Sequence, residues 1–166
     1  MLRKALASFG IGVMLIVGTG CMGDSNTPEA QSSFNSQLNK FRVAVNEAED
    51  SGNQIKLEAL EKEVTNFLNK SRNVELWYAQ VESVRKRSAG GVAVKTSNDS
   101  QGFLLIITNP ELQNMAAHFE DGDSIFFSGN LGREGSLTFS GKLENPEYIL
   151  TPTEVKLSAD GPTFNQ

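Results

Sequence analysis

One cysteine and one histidine in 166 residues leave little room for several common chemistries. A single Cys cannot close an internal disulfide, and with one His beside it no Cys/His zinc set can be assembled. There is no Walker loop, no G-x-G-x-x-G after a strand and no G-x-S-x-G elbow. Positive charge is also short: 15 Lys+Arg face 20 Asp+Glu, giving a net charge of −5 and a pI near 4.9. Phosphate neutralisation by Lys and Arg supplies most non-specific nucleic-acid affinity, so this balance argues against a dedicated nucleic-acid binder. Collagen-like, disulfide-rich and multi-span membrane classes drop out. What remains, 39% hydrophobic and 21% charged, suffices for one domain with an appendage.

The first twenty residues carry Arg3 and Lys4, an apolar stretch through Ile11, Val13, Met14, Leu15, Ile16 and Val17, then Gly18-Thr19-Gly20. This is a secretory signal pattern over residues 1–20, too short for a spanning helix of about 20 apolar residues. The only Cys, Cys21, comes directly after it. Placed there it resembles the lipidation site of bacterial lipoproteins, whose signal ends in a small-residue box before a Cys that becomes the modified N-terminus. Gly18 stands where such boxes usually carry Leu. The competing reading is an ordinary secretory cleavage site beside an incidental Cys. Loss of residues 1–20 would make the chain more acidic by the charges of Arg3 and Lys4.

Residues 21–32, with Gly23, Asp24, Asn26 and Pro28, read as a flexible tether. Phe34, Leu38, Phe41, Val45 and Ala48 then recur at steps of three and four, which predicts an amphipathic helix over Ser33–Asp50. Ser51-Gly52-Asn53 interrupts it. Ile55, Leu57, Leu60, Val64, Phe67 and Leu68 predict a second helix over Gln54–Lys70, making an antiparallel hairpin within residues 33–72. The pair is either a binding or oligomerising arm, or it packs on itself and on the domain C-terminal to it.

Beyond Asn73 the period becomes alternating. Trp77, Ala79 and Val81 point one way and Tyr78, Gln80 and Glu82 the other, as a half-buried strand requires. Arg85 to Gly91 reads as a turn, leading to strands Val92–Thr96 and Phe103–Ile107. Asn109-Pro110-Glu111 combines an N-cap, a first-position Pro and an early acid, starting a helix with Leu112, Met115, Ala116 and Phe119 on its apolar face. Strands Ser124–Leu131 and Tyr148–Ser158 come next, with a bend expected at Pro152 because it has no N–H. Residues 159–166 form a tail. Phe127-Ser128-Gly129-Asn130-Leu131 echoes Phe139-Ser140-Gly141-Lys142-Leu143, without a third copy.

Three strands, a short helix and further strands is the order of the OB-fold, a five-stranded Greek-key barrel. The fold class is therefore α+β: an N-terminal helical hairpin followed by a small OB-fold-like barrel over residues 74–158 with one capping helix. The opening Trp77-x-Ala79-x-Val81-x-x-Val84, the run Gly122 to Gly129 and the closing Leu150-Thr151-Pro152-Thr153-Glu154-Val155 resemble the periplasmic OB-fold lipoproteins grouped as tRNA-anticodon-binding-like. The extra stretch Gly135–Tyr148 departs from the simplest version of that pattern.

His118 would need a nucleophile and an orienting acid to act as a base. It reads instead as a solvent-facing residue at a helix end. Asp121-Gly122-Asp123 lacks the alternating oxygen ligands of a calcium loop and reads as a turn. The expectation is a non-enzyme with no cofactor and no metal. OB-folds bind through the face of their second and third strands and the loops after the first and fourth. The candidate binding residues are therefore Arg85, Lys86 and Arg87 after the first strand, Arg133 after the fourth, and Tyr78 and Lys95 between them. They make either an anion-accepting cluster or a solubilising turn. The resulting expectation is a lipid-anchored module of the cell envelope, held to the membrane at Cys21 and facing the periplasm or cell exterior. Its partner would be an envelope protein, peptide or glycan, with nucleic acid not expected. The alternative is a single-stranded nucleic-acid-binding OB-fold protein, and an inhibitor that blocks a partner would look the same in composition.

Overall fold

The structure, a computed structural model, describes residues 27–98, 101–134, 139, 141–144 and 146–158. The expected signal segment, Cys21 and the tail 159–166 lie outside these residues.

Helix α1 spans Glu29–Asp50 and buries Gln31, Phe34, Leu38, Phe41, Val45 and Ala48, one stripe at steps of three and four. It begins inside the stretch expected to be tether, because Gln31 is fully buried and hydrogen-bonded to the backbone of Tyr78. Gly52, at φ +63°, reverses the chain, and Asn53 caps α2 (Gln54–Lys70) by accepting from Lys56 N–H at 3.0 Å. Phe34 near the start of α1 stacks on Phe67 near the end of α2, 5.1 Å between centroids, so the hairpin is antiparallel as expected. One expected stripe member is misplaced: Ile55 is 84% exposed. It lies five residues before Leu60, well over a quarter-turn off the face that Leu60 and Val64 bury.

Among the described residues five strands form the barrel: β1 (Asn73–Lys86), β2 (Val92–Asn98), β3 (Gln101–Ile107), β4 (Ser124–Glu134) and β5 (Glu147–Leu157). They close in the order β1-β2-β3-β5-β4, with β3–β5 parallel and the other pairings antiparallel. Helix α3 (Pro110–Ala116) sits between β3 and β4, capped by Asn109 with Pro at its start, and α4 (Gly141–Glu144) precedes β5. This is the α+β OB-fold arrangement, with the helical pair in front of it. The repeated motif divides between two structures, Phe127–Leu131 lying in β4 while the second copy runs into α4.

Two irregularities let β1 serve both sides of the barrel. A register shift against β2 between Val81 and Ser83 lets Val81 and Val84 face inward although three residues apart. A second, against β4 between Val74 and Trp77, contains Leu76 at φ 49°, whose N–H donates to Ser128 Oγ at 3.0 Å. The bend expected at Pro152 is a shift in the β4–β5 register, where Gly129 faces Pro152. A Cβ on Gly129 would stand 2.5 Å from Thr151 O, so only glycine allows this approach.

The core is continuous from hairpin to barrel. Phe34 meets Trp77 at 4.9 Å and Tyr148 at 5.9 Å, Trp77 meets Phe103 at 5.9 Å, and Phe103 meets Phe127 at 5.1 Å. The hairpin therefore closes the barrel end where β3 and β5 begin. Ala116 and Phe119, on and just after α3, are buried beyond the end of β3.

Candidate functional site

Alternation fixes what each strand offers to solvent. Val94 and Thr96 of β2 and Phe103, Leu105 and Ile107 of β3 are buried, so Ala93, Lys95, Ser97, Gly102, Leu104 and Ile106 face out. Between Tyr148 and Leu150 on β5, Ile149 also faces out, 37% exposed. Register places Lys95, Leu104 and Ile149 in one row and Arg85, Ala93 and Ile106 in the next. The face is thus an aliphatic strip with a cation beside each row.

These cations differ. Lys95 Nζ is paired with Glu82 Oε2 at 2.8 Å. The hydrogen bonds from Lys95 and Ser97 hold the Glu82 carboxyl below its usual range, and the bond to Glu82 raises the Lys95 ammonium above its own. Lys95 lies on the expected face with its charge already matched. Below it a shallow depression of about 520 Å³ is bordered by Arg42, Lys95, Glu82, Glu144 and Glu147, which makes that end of the face mildly acidic.

Arg85 and Lys86 belong to β1 rather than to the expected turn, and both are exposed. The turn needs few residues: Arg87 N–H donates to Gly91 O at 3.0 Å and Gly90 N–H to Arg87 O at 3.2 Å. Gly90 and Gly91 supply positive φ, and Gly91 packs so tightly that a Cβ would meet Ile107 O. Arg85 therefore stands in register with one end of the aliphatic strip, while Lys86, next to it in β1, is in register with Val92 and the buried Ile107, and Arg87 follows at the turn.

The other candidates do not join them. Tyr78 is 2% exposed, tilted against Phe126 at 5.7 Å, with its hydroxyl 3.1 Å from Ser124 Oγ. It is sealed on the β1–β4 side because its neighbour across the ladder is aromatic and the start of α1 covers its backbone. Arg133 lies within β4, not in a loop, beyond Asn130, whose partner Asn73 begins β1. It is a strand's length from Lys86 at the other end. His118 is exposed just after α3, and its N–H donates to Met115 O at 3.0 Å. Asp121-Gly122-Asp123 is a turn with Gly122 at φ +89°, closed by Glu120 N–H donating to Asp123 Oδ2 at 2.8 Å. Among the described residues no group of three His, Cys, Asp or Glu is placed to hold a metal. Arg42 at the rim carries no signal in the sequence, since nothing local marks a residue of α1 as a neighbour of β2 and β5.

No family model matches the chain, and no curated protein does. Among solved structures, it is similar to a chain described as a putative aspartyl-tRNA synthetase from Leishmania major Friedlin. That match has 13% identity and a TM-score of 0.39, covering 51% of this chain and 17% of the synthetase. It is also similar to the mitochondrial single-stranded DNA binding protein Rim1 from S. cerevisiae, with 9% identity and a TM-score of 0.34, covering 54% of this chain and 97% of Rim1. Both neighbours are named for nucleic acid, which stands opposite to the expectation of no nucleic-acid partner, while the likeness itself is one of barrel fold. The expectation rested on net charge, which describes the whole chain and does not exclude a local run of cations such as Arg85, Lys86 and Arg87.

Proposed function

We propose that this chain is a non-catalytic binding module that holds an extended anionic polymer, first of all single-stranded nucleic acid, across the outer face of β2, β3 and β5. The observation that supports it is the row Arg85, Ala93, Ile106, which sets Arg85 against the aliphatic strip with Lys86 and Arg87 next to it in the chain. In OB-folds this face and its flanking loops hold oligonucleotides and oligosaccharides. Three cations meeting phosphates would give a log–log salt slope of about −2 for a single strand. The test is fluorescence anisotropy of a labelled oligothymidylate at two salt concentrations, with wild type and the triple charge reversal Arg85→Glu, Lys86→Glu, Arg87→Glu. Salt-sensitive binding that the reversal abolishes, with unchanged melting, supports the reading. No binding at low salt rejects it.

A second reading rests on a different observation: Leu104, Ile106 and Ile149 face out and none of the described aromatic side chains joins them. Single-strand platforms usually stack bases on aromatics, whereas an aliphatic strip suits a protein, peptide or polysaccharide partner. It accords with a proposed location in the cell envelope, to which residues 1–20 would export the chain and where a lipid on Cys21 would anchor it. Crosslinked pull-down from intact envelope tests the partner. Cys21→Ser should move the protein from the membrane to the soluble fraction.

A further inference from the structure

We propose that a second, independent site lies where the C-terminal half of α2 meets the end of β4, and that it takes a small amphipathic anion, a hydrophobic carboxylate or sulfonate. A cavity of about 450 Å³ opens there. This is within the range of small-molecule pockets. Its apolar lining includes Val64, Leu68 and Leu131, of which Val64 and Leu131 are buried. Its polar lining includes Asn69, Arg72 and Asn130.

Among the described residues of the lining, Arg72 is the one charged group. Its Nη2 donates to Asn69 Oδ1 at 2.6 Å, a neutral acceptor, and among the described residues no acid is paired with it. The root of this side chain is held in place. Arg72 O accepts from Leu131 N–H at 2.7 Å, and the side chains of the next residues along, Asn73 and Asn130, are bonded at 3.1 Å. A guanidinium on a fixed backbone beside an apolar floor binds an anionic head and a hydrocarbon body at once. The carbonyl end of α2 adjoins the cavity and disfavours anions, so attraction of the head must come from Arg72. The acidic chain offers no general pull on anions either, and affinity should depend on this residue.

The competing account is a solvated cation complementing the end of α2, with the cavity idle. Titration of the whole chain, carrying Cys21→Ser, with 8-anilinonaphthalene-1-sulfonate and with its uncharged relative N-phenyl-1-naphthylamine separates the two. Saturable one-to-one binding of the sulfonate is expected, displaced by octanoate and not by octanol. Arg72→Gln should weaken the sulfonate about tenfold and leave the uncharged probe unaffected, while Arg72→Lys retains part of the affinity. Thr65→Trp, at the exposed rim, should block both probes without altering the melting curve. Absence of one-to-one binding by the wild type overturns the site, as does indifference to Thr65→Trp. Equal affinity of Arg72→Gln for the sulfonate overturns the anion. The Arg85–Arg87 reversal should leave every one of these titrations unchanged, so the outcome is independent of the barrel-face reading.

Discussion

Gln31 spends both ends of its side-chain amide on one residue: Nε2 donates to Tyr78 O at 2.8 Å, and Tyr78 N–H donates to Gln31 Oε1 at 2.7 Å. Pairing of β1 with β2 begins only at Gln80, so the glutamine stands where a further residue of β2 would be. Its amide reproduces the paired donor and acceptor of a strand and fixes α1 to the barrel.

Gln31→Ala should leave two buried backbone groups without partners and cost about 2–4 kcal/mol. Gln31→Leu, which keeps the bulk, should cost a comparable amount if the hydrogen bonds dominate. Urea denaturation of both variants checks this, and a loss confined to Gln31→Ala would assign the effect to packing.

Gly129→Ala should cost about 2 kcal/mol or more, because the new Cβ would fall 2.5 Å from Thr151 O and 2.8 Å from Pro152 Cα, both backbone. Gly52→Ala meets no atom within 4 Å and should cost about 1 kcal/mol through its positive φ alone. Thermal melts of the pair separate crowding from backbone strain.

Trp77→Ala should cost about 3–5 kcal/mol, since the ring is 4% exposed and joins Phe34 of the hairpin to Phe103 of the barrel. Amide exchange should quicken in α1 as well as in the strands. Protection unchanged in α1 would mean the hairpin is held without this ring.

The Glu82–Lys95 pair should leave a signature at both pH extremes. The Glu82 carboxyl titrates below its ordinary 4.5, so its contribution is complete above that value and is lost as pH falls through the folded one. Lys95 is raised from 10.5, so its contribution is complete below that value and is lost as pH rises beyond it. The difference in melting temperature between wild type and Glu82→Gln should be flat near neutrality and close on acidification. A difference that persists unchanged at about pH 3 would remove the pair as its cause.

Local signals make much of this fold legible. The bounds of α2, the Asn109-Pro110 start of α3 and the inward set Trp77, Ala79 and Val81 of β1 come from period and capping, which act over a few residues. The features that stay hidden depend on partners far along the chain. Gln31 looks like tether until Tyr78, 47 residues later, lies beside it. Tyr78 looks outward-facing until Phe126 covers its ring, and Lys95 looks like a ligand cation until Glu82 reaches it across the strands. Arg85 and Lys86 read as turn because charge is usual in turns, yet the glycine pair closes the reversal so tightly that the strand runs on through both. Arg133 reads as a loop residue by analogy with shorter barrels, but the longer β4 absorbs that loop.

The parallel contact of β3 with β5 seals the sheet into a ring, and a ring has no open border at which a visiting peptide can lie down as an additional strand. Where β2 stops short on β1, the Gln31 amide occupies the vacancy. Among the described strands, main-chain recognition of that kind finds no open edge, and the same closure leaves those strands no edge to offer to a second copy. A partner that meets the outer face of these strands is therefore chosen by the side chains that alternate along it.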